Sequence, residues 1–277
     1  MSVNSITAFI KKISTGQYEK LDIANPQYEE IEQNLNMISS RVKNLEQQKD
    51  TFIYDISHEL RTPLSTMKLL AESIKYSNTK EISMYIDFFS DIVSEIDRMN
   101  LIISDLMESV DLDPANYIIN LRLTYLNYLC ENAIKHIRPI AKNKNINITY
   151  IEDSDIQIYL DSSKIERALI NLLENSIKYS EMNSSIIVRL FTSKNRACIS
   201  IKDEGMGIPR EEADRIFERF YRIEKARSRS TGGSGLGLYI TKRIVDMHRG
   251  DISIVSTENI GSEFTLKLPM NLYSNKL

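Results

Sequence analysis

The sequence predicts an α+β protein in two parts, an N-terminal helical hairpin followed by an α/β sandwich. Three observations carry that prediction. Neither proline nor glycine occurs between Pro26 and Pro63, nor between Pro63 and Pro114, and these are the residues that most disfavour a helix interior. Beyond Pro114 short stretches of alternating apolar residues take over, interleaved with helical patterns, which signals strands mixed with helices. Finally, six of the nine glycines crowd between positions 205 and 237. Backbone freedom is wanted there and avoided elsewhere.

The elements follow in order. Ile31, Leu35, Ile38, Val42 and Leu45 are spaced four and three apart, and Phe52 and Ile56 continue the series, with Lys49 interrupting it. That spacing is a coiled-coil seam. Ile92, Ile96, Met99, Ile103, Leu106 and Val110 nearly repeat it, and the polar stretch Tyr76–Lys80 is the natural turn between the two helices. One narrow stripe per helix buries little, so two hairpins are expected to pair as a dimeric four-helix bundle. Strands are predicted at 146–151, 156–160, 186–191, 197–201, 252–255 and 263–268. Helices are predicted at 125–142, 163–179, 211–220 and 236–248, the second with Asp161-Ser162-Ser163 as its N-cap cluster and Glu166 as a capping-box partner of Ser163. Their irregular alternation points to one mixed sheet with helices on one face.

Composition excludes several classes. Length suggests about two domains, and 42% apolar with 26% charged residues is enough to build a core. Two cysteines, Cys130 and Cys198, make no disulfide framework. With His58, His136 and His248 they show no zinc-ligand spacing. No apolar run approaches the length of a membrane span or a signal sequence. Lys plus Arg number 35 against 38 acidic residues, a net charge of −3, which argues against a dedicated nucleic-acid binder.

Three clusters carry chemistry. In Ser57-His58-Glu59-Leu60-Arg61-Thr62-Pro63 the seam register points His58 to solvent. A neutral imidazole there can act as a nucleophile when a base takes its other proton, and Glu59 is adjacent. Pro63 predicts a bend just past the histidine, because its ring collides with the carbonyl of Glu59. In the second cluster Asn171 and Asn175 share one helix face, with Lys178 three residues on. Two amide oxygens and a lysine suit hydrated magnesium with phosphates. In the third, Asp203-Glu204-Gly205-Met206-Gly207 follows a strand, and Gly232-Gly233-Ser234-Gly235-Leu236-Gly237 opens a helix. Glycines there let backbone N–H groups reach phosphate oxygens at a helix N-terminus. Between them Arg219, Arg222, Lys225, Arg227 and Arg229 face only Glu224 as a basic flap. The pattern fits neither a dinucleotide fingerprint nor a P-loop.

Taken together, HELRTPL, NLLENSIKYS, DEGMGIP, IFERFYR and GGSGLGL, in this order over roughly residues 45–270, resemble the sensor histidine kinases of two-component systems. The resemblance implies a dimerisation and phosphoacceptor hairpin over 46–113 and a Bergerat-fold ATP-binding domain over 114–277. His58 then looks like the phosphoacceptor, Glu59 its general base, and Thr62 the residue that positions water for dephosphorylating a response regulator. Asn175, with Asn171, looks like the magnesium ligand. Lys178 and Arg222 look like phosphate contacts, and Tyr179 lines the nucleotide pocket. Asp203 looks like the acceptor of the adenine amino group, bordered by Gly205 and Gly207. Phe217 and Phe220 look like anchors of the flap, and Gly233, Gly235 and Gly237 like the second glycine box. ATP and Mg2+ are the implied cofactors, and a second copy and the receiver domain of a response regulator the implied partners.

Residues 9–37 look like part of a HAMP signalling module, so 1–45 are expected to form a signalling segment. That module usually follows a transmembrane helix in this family. Either the chain is cut after such a span, which would tether the native protein to the cytoplasmic side of the plasma membrane, or the native protein is soluble; we favour the first. A Bergerat-fold ATPase doing conformational work, as gyrase and Hsp90 do, is the alternative function. The histidine-bearing hairpin is what discriminates against it.

Overall fold

The computed structural model describes residues 3–22, 28–76, 82–112, 119–223 and 233–271. The chain divides into two compact units, Met1–Asn78 and Thr79–Leu277.

In the first unit α1 spans Val3–Ser14 and α2 spans Glu29–Tyr76. Asn36 of α2 brackets one residue of the connecting segment. Its Oδ1 accepts from the Leu21 N–H and its Nδ2 donates to the Leu21 carbonyl, both at 2.8 Å. A side-chain amide thus satisfies both backbone groups as a neighbouring strand would. Along α2, alternate seam residues Ile31, Ile38 and Leu45 are exposed by 42%, 52% and 56%. An apolar row this open needs a covering surface. The helix runs unbroken through Pro63, which is itself buried. Among the described residues no helix is long and apolar enough to cross a membrane. The expected turn at 76–80, apart from Tyr76, lies outside the described residues.

The second unit opens with α3, Ile82–Asp111. A small antiparallel sheet pairs β1 (Arg122–Tyr125) with β3 (Gln157–Leu160). The main sheet holds β2 (Asn147–Glu152), β4 (Ser185–Ser193), β5 (Arg196–Asp203), β6 (Asp251–Thr257) and β7 (Gly261–Pro269) in the order β2-β4-β5-β7-β6. Only β2 and β4 run parallel, so the sheet is mixed as predicted. Register explains its core. Val188, Ile201, Phe264 and Ile254 stand opposite one another in one row, and Leu190, Ile199, Leu266 and Ile252 in the next. Residues two apart along a strand share a face, so both rows point the same way. The helices α4 (Leu126–Asn143), α5 (Ser162–Tyr179) and α6 (Gly237–Met247) pack with them, burying Leu129, Ile137, Leu172, Ile177 and Ile244.

Several local expectations need correction. β1 was not foreseen; four residues with a largely exposed pattern give no periodic signal. The N-cap of α5 is Asp161, whose carboxylate accepts from the Lys164 N–H and from the Ser163 hydroxyl. That makes Lys164 the third helical residue, so Glu166 lies two residues too far along to close a capping box. No α-helix forms over 211–220. Two 3-10 turns, Arg210–Glu212 and Arg215–Phe217, stand there, closed by i→i+3 bonds such as Glu218 N–H to the Arg215 carbonyl. Phe220, at φ +59°, bars helical continuation.

α3 also has two faces where one was expected. Ile96, Ile103 and Val110 of the predicted seam stay exposed, while Ile102, Asp105, Ser109 and the following Leu112 are buried. Leu112 belongs to the core of the sandwich, and its carbonyl accepts from Arg243.

Candidate functional site

His58, Glu59 and Thr62 lie together on α2. The His58 side chain is 64% exposed, and its Nδ1 stands 3.9 Å from Glu59 Oε1. That is an ion-pair distance, too long for a hydrogen bond, and it leaves Nε2 as the nitrogen turned away from the carboxylate. The Thr62 hydroxyl donates to the His58 carbonyl at 3.3 Å. Pro63 has no N–H to offer the Glu59 carbonyl, so helix hydrogen bonding is thinned directly beside the histidine.

The remaining candidates converge in the second unit on two adjoining cavities of about 170 and 90 Å³, which share Asn175, Tyr179, Tyr221 and Arg222 among their walls. The smaller is the more apolar, with Met206, Ile208, Ile223 and Phe264 around Asp203. Asp203 ends β5 and is 5% exposed. Its Oδ1 accepts from the Gly205 and Ser262 N–H groups at 3.0 and 3.2 Å, and its Oδ2 from the Ser176 hydroxyl at 3.2 Å. Burial raises the carboxyl above the usual carboxylate range, and these three donors oppose that rise without cancelling it. The result is a fixed acceptor in an apolar slot. Gly207 allows this slot to exist. It sits at φ +65°, and a Cβ there would stand 2.1 Å from the Thr257 carbonyl oxygen.

The larger cavity is polar. α5 presents Asn171, Asn175 and Lys178 to it, and the glycine loop presents Gly233, Ser234, Gly235 and Gly237. Lys178 is pushed down to about 8, first by burial, then by Arg222 and Arg98, with Glu174 opposing. Cations crowded this way await an anion. Arg222 donates to the Gly233 carbonyl at 3.4 Å, and the Asn171 amide to the Gly237 carbonyl at 3.3 Å. The end of α5 is pinned from behind, because Lys144 Nζ donates to the carbonyls of Ile177, Lys178 and Ser180. These are orphan acceptors of the helix C-terminus. Gly235, at φ +72°, approaches Phe220 so closely that a Cβ would lie 2.8 Å from its carbonyl carbon.

Not every candidate reaches the cavities. Phe217 and Phe220 pack on the hydrophobic core instead, and their neighbours Ile216, Tyr221 and Ile223 form the walls. Gly205 acts through its N–H on Asp203. Of the basic flap, Lys225, Arg227 and Arg229 lie outside the described residues, as does Gly232. Sequence reading missed Ser176 and Ser262, which orient Asp203. It also missed Arg167, Ser234 and Asp105, which line the polar cavity. Arg167 had a legible signal, standing one turn before Asn171 on the same helix face.

Relatedness agrees with this geometry. Residues 48–115 match the His Kinase A (phospho-acceptor) domain, and residues 160–272 match the histidine kinase-, DNA gyrase B- and HSP90-like ATPase domain. The chain is 32% identical to the sensor histidine kinase WalK of Bacillus subtilis over 82% of its length and 38% of WalK. It is 33% identical to the sensor-like histidine kinase SenX3 of Mycobacterium tuberculosis over 81% of its length and 55% of SenX3. It thus spans about 38–55% of the length of these curated relatives. Among solved structures, the Acinetobacter baumannii histidine kinase AdeS superposes with a TM-score of 0.63 at 23% identity, over 77% of this chain and 98% of AdeS. The histidine kinase ThkA, solved in complex with the response regulator TrrA, superposes with a TM-score of 0.65 at 21% identity, over 92% of this chain and 70% of that one. Both domain matches, in the same order and with His58 in one and Asp203 in the other, place the chain in the family of bacterial two-component sensor histidine kinases.

Proposed function

We propose that this chain is the kinase core of a sensor protein, which phosphorylates its own His58 from ATP and passes the phosphoryl group to an aspartate of a response regulator. The observation that carries the reading is the cleft, with an oriented, buried carboxylate at its apolar end and Lys178 crowded by Arg222 at its polar end. Adenine fits the first and a triphosphate the second. Asp203 accepts the adenine amino proton, and Lys178 and Arg222 neutralise the phosphates. Asn175, with Asn171, offers neutral amide oxygens, which suit Mg2+, an ion that keeps most of its water. When bound, it supplies charge neutralisation to the phosphates. His58 attacks the terminal phosphorus through Nε2 as the bond from that phosphorus to the bridging oxygen breaks and ADP leaves, with Glu59 as the base for the Nδ1 proton. Phosphoryl transfer of this kind needs mainly positioning and charge compensation. Thr62 positions water for the separate hydrolytic step that dephosphorylates the regulator, releasing inorganic phosphate and the free aspartate.

The domain reading follows, with a signalling segment at 1–45, the phosphoacceptor hairpin at 46–113 and the ATP-binding domain at 114–277. The open apolar rows on α2 and α3 support a homodimeric four-helix bundle. Tethering to a membrane through an upstream span is part of the same proposal. Incubation with γ-labelled ATP and Mg2+ tests it. Acid-labile, base-stable label that is lost in His58→Ala and moves to a receiver domain supports the reading. Steady ATP turnover with no protein label would overturn it.

A further inference from the structure

The buried face of α3 serves no step of the proposed reaction, yet it ends in the cleft. Asp105 is 5% exposed. Its Oδ2 accepts from the Ser234 hydroxyl at 2.6 Å, and its Oδ1 from Arg167 Nη2 at 2.9 Å. Ser234 stands inside the glycine loop, and the same hydroxyl oxygen accepts from the Leu236 N–H at 3.1 Å at the turn into α6. Arg167 is further held by Glu108, whose carboxylate accepts from its Nε at 3.0 Å. Asp105, Arg167 and Ser234 are all walls of the polar cavity that also holds Lys178 and Arg222.

A carboxylate receiving a hydroxyl and a guanidinium has the charge and the donors of a bound phosphate oxygen. The Ser234 hydroxyl has one proton and can give it to one acceptor. A terminal phosphate entering the polar cavity would meet the Asp105 charge at close range, where screening by water is weak. Adenosine, which fills only the apolar end, would meet neither.

We propose that Asp105 is an internal stand-in for the terminal phosphate of the nucleotide. Triphosphate binding displaces it and releases the last turns of α3 from the sandwich, and α3 docking weakens triphosphate binding by the same factor. The reciprocity is required by linkage, which ties the two equilibria to one coupling energy. This deepens the ATP reading and rests on it.

The test uses the full chain, wild type and Asp105→Ala, titrated with a hydrolysis-resistant ATP analogue plus Mg2+ and, separately, with adenosine. The analogue should bind the variant at least about fivefold more tightly, the lower range of such couplings, and adenosine should bind both proteins equally. Unchanged or weaker analogue binding overturns the proposal; weaker binding would make Asp105 a ligand of the metal or a positioning group. A wild-type chain that binds neither compound would sink the ATP reading itself. A second measurement needs no variant. In the wild-type chain the analogue should accelerate amide hydrogen exchange across residues 102–112, and adenosine should not. Exchange unaffected by the analogue overturns the proposal.

Discussion

His58 stands exposed on α2, and the residues argued to act with it, Glu59 and Thr62, lie within four positions of it along one helix. Asp203 lies buried at the end of β5, and its three donors come from residues 176, 205 and 262. On the proposed reading the two sites solve different problems. A phosphoacceptor must be reached by a nucleotide and by a partner protein, so it is presented on a surface with little packing around it. A base pocket must hold one acceptor still in apolar surroundings, so it is assembled from segments far apart in the chain and locked by the core. Substitutions should therefore act on the cleft through stability and binding, and on the histidine helix through chemistry alone.

The largest effect should come from the core behind the cleft. Leu172 is fully buried on α5, between Asn171 and Asn175. Leu172→Ala should destabilise the second unit by about 2–5 kcal/mol, measured by denaturant unfolding. A change within experimental scatter would mean that the cleft is not backed by a packed core. Next, Asp203→Ala should weaken adenosine binding by about 1.5–3 kcal/mol, the range for a hydrogen bond to a charged group. Calorimetry giving an unchanged dissociation constant would break the assignment of the base pocket.

Lys178 sharpens the comparison through pH. With its ammonium depressed to about 8, the side chain is charged below that pH and neutral above it. Binding a triphosphate favours the charged form, so protons are taken up on binding and affinity should fall as pH rises through about 8. Lys178→Arg keeps its charge throughout and should flatten the profile. A wild-type affinity independent of pH from 7 to 9 would remove Lys178 from the phosphate site. The smallest stability effect belongs to the exposed helix. Thr62→Ala should change folding stability by no more than about 0.5 kcal/mol. It should spare autophosphorylation and slow regulator dephosphorylation about tenfold or more, the order expected when a positioned water is lost. Equal loss of both activities would make Thr62 structural.

The same contrast decides what the sequence could reveal. The histidine motif is contiguous, so its exposure follows from a heptad count, and the roles proposed for its residues rest on their types and on the resemblance. The α5 stripe was equally legible, because helical spacing places Asn171, Asn175 and Lys178 on one face. The role of Ser176 toward Asp203 was not, since it depends on how α5 settles over β5, and no local pattern records that. The second face of α3 was hidden for a related reason. Asp105 and Ser109 are polar and break the apolar stripe, so a hydrophobicity count assigns them to solvent. In the structure they are buried, and Asp105 is tied to Ser234 and Arg167, residues far along the chain. The segment 211–220 misled in the opposite direction. Its composition favours a helix, but Phe220 is held at φ +59° beside Gly235, and tertiary packing overrides the local preference.

The central claim is that the cleft delivers a phosphoryl group to His58 and to no other side chain. Mass-spectrometric mapping of the chain after incubation with ATP and Mg2+, under neutral conditions that preserve phosphohistidine, tests it most directly. The account predicts one modified residue, His58, with the modification reduced at sub-saturating ATP when Asp203 is replaced by alanine. A phosphoryl group found instead on a hydroxyl, such as that of Ser57 or Thr62, would contradict it.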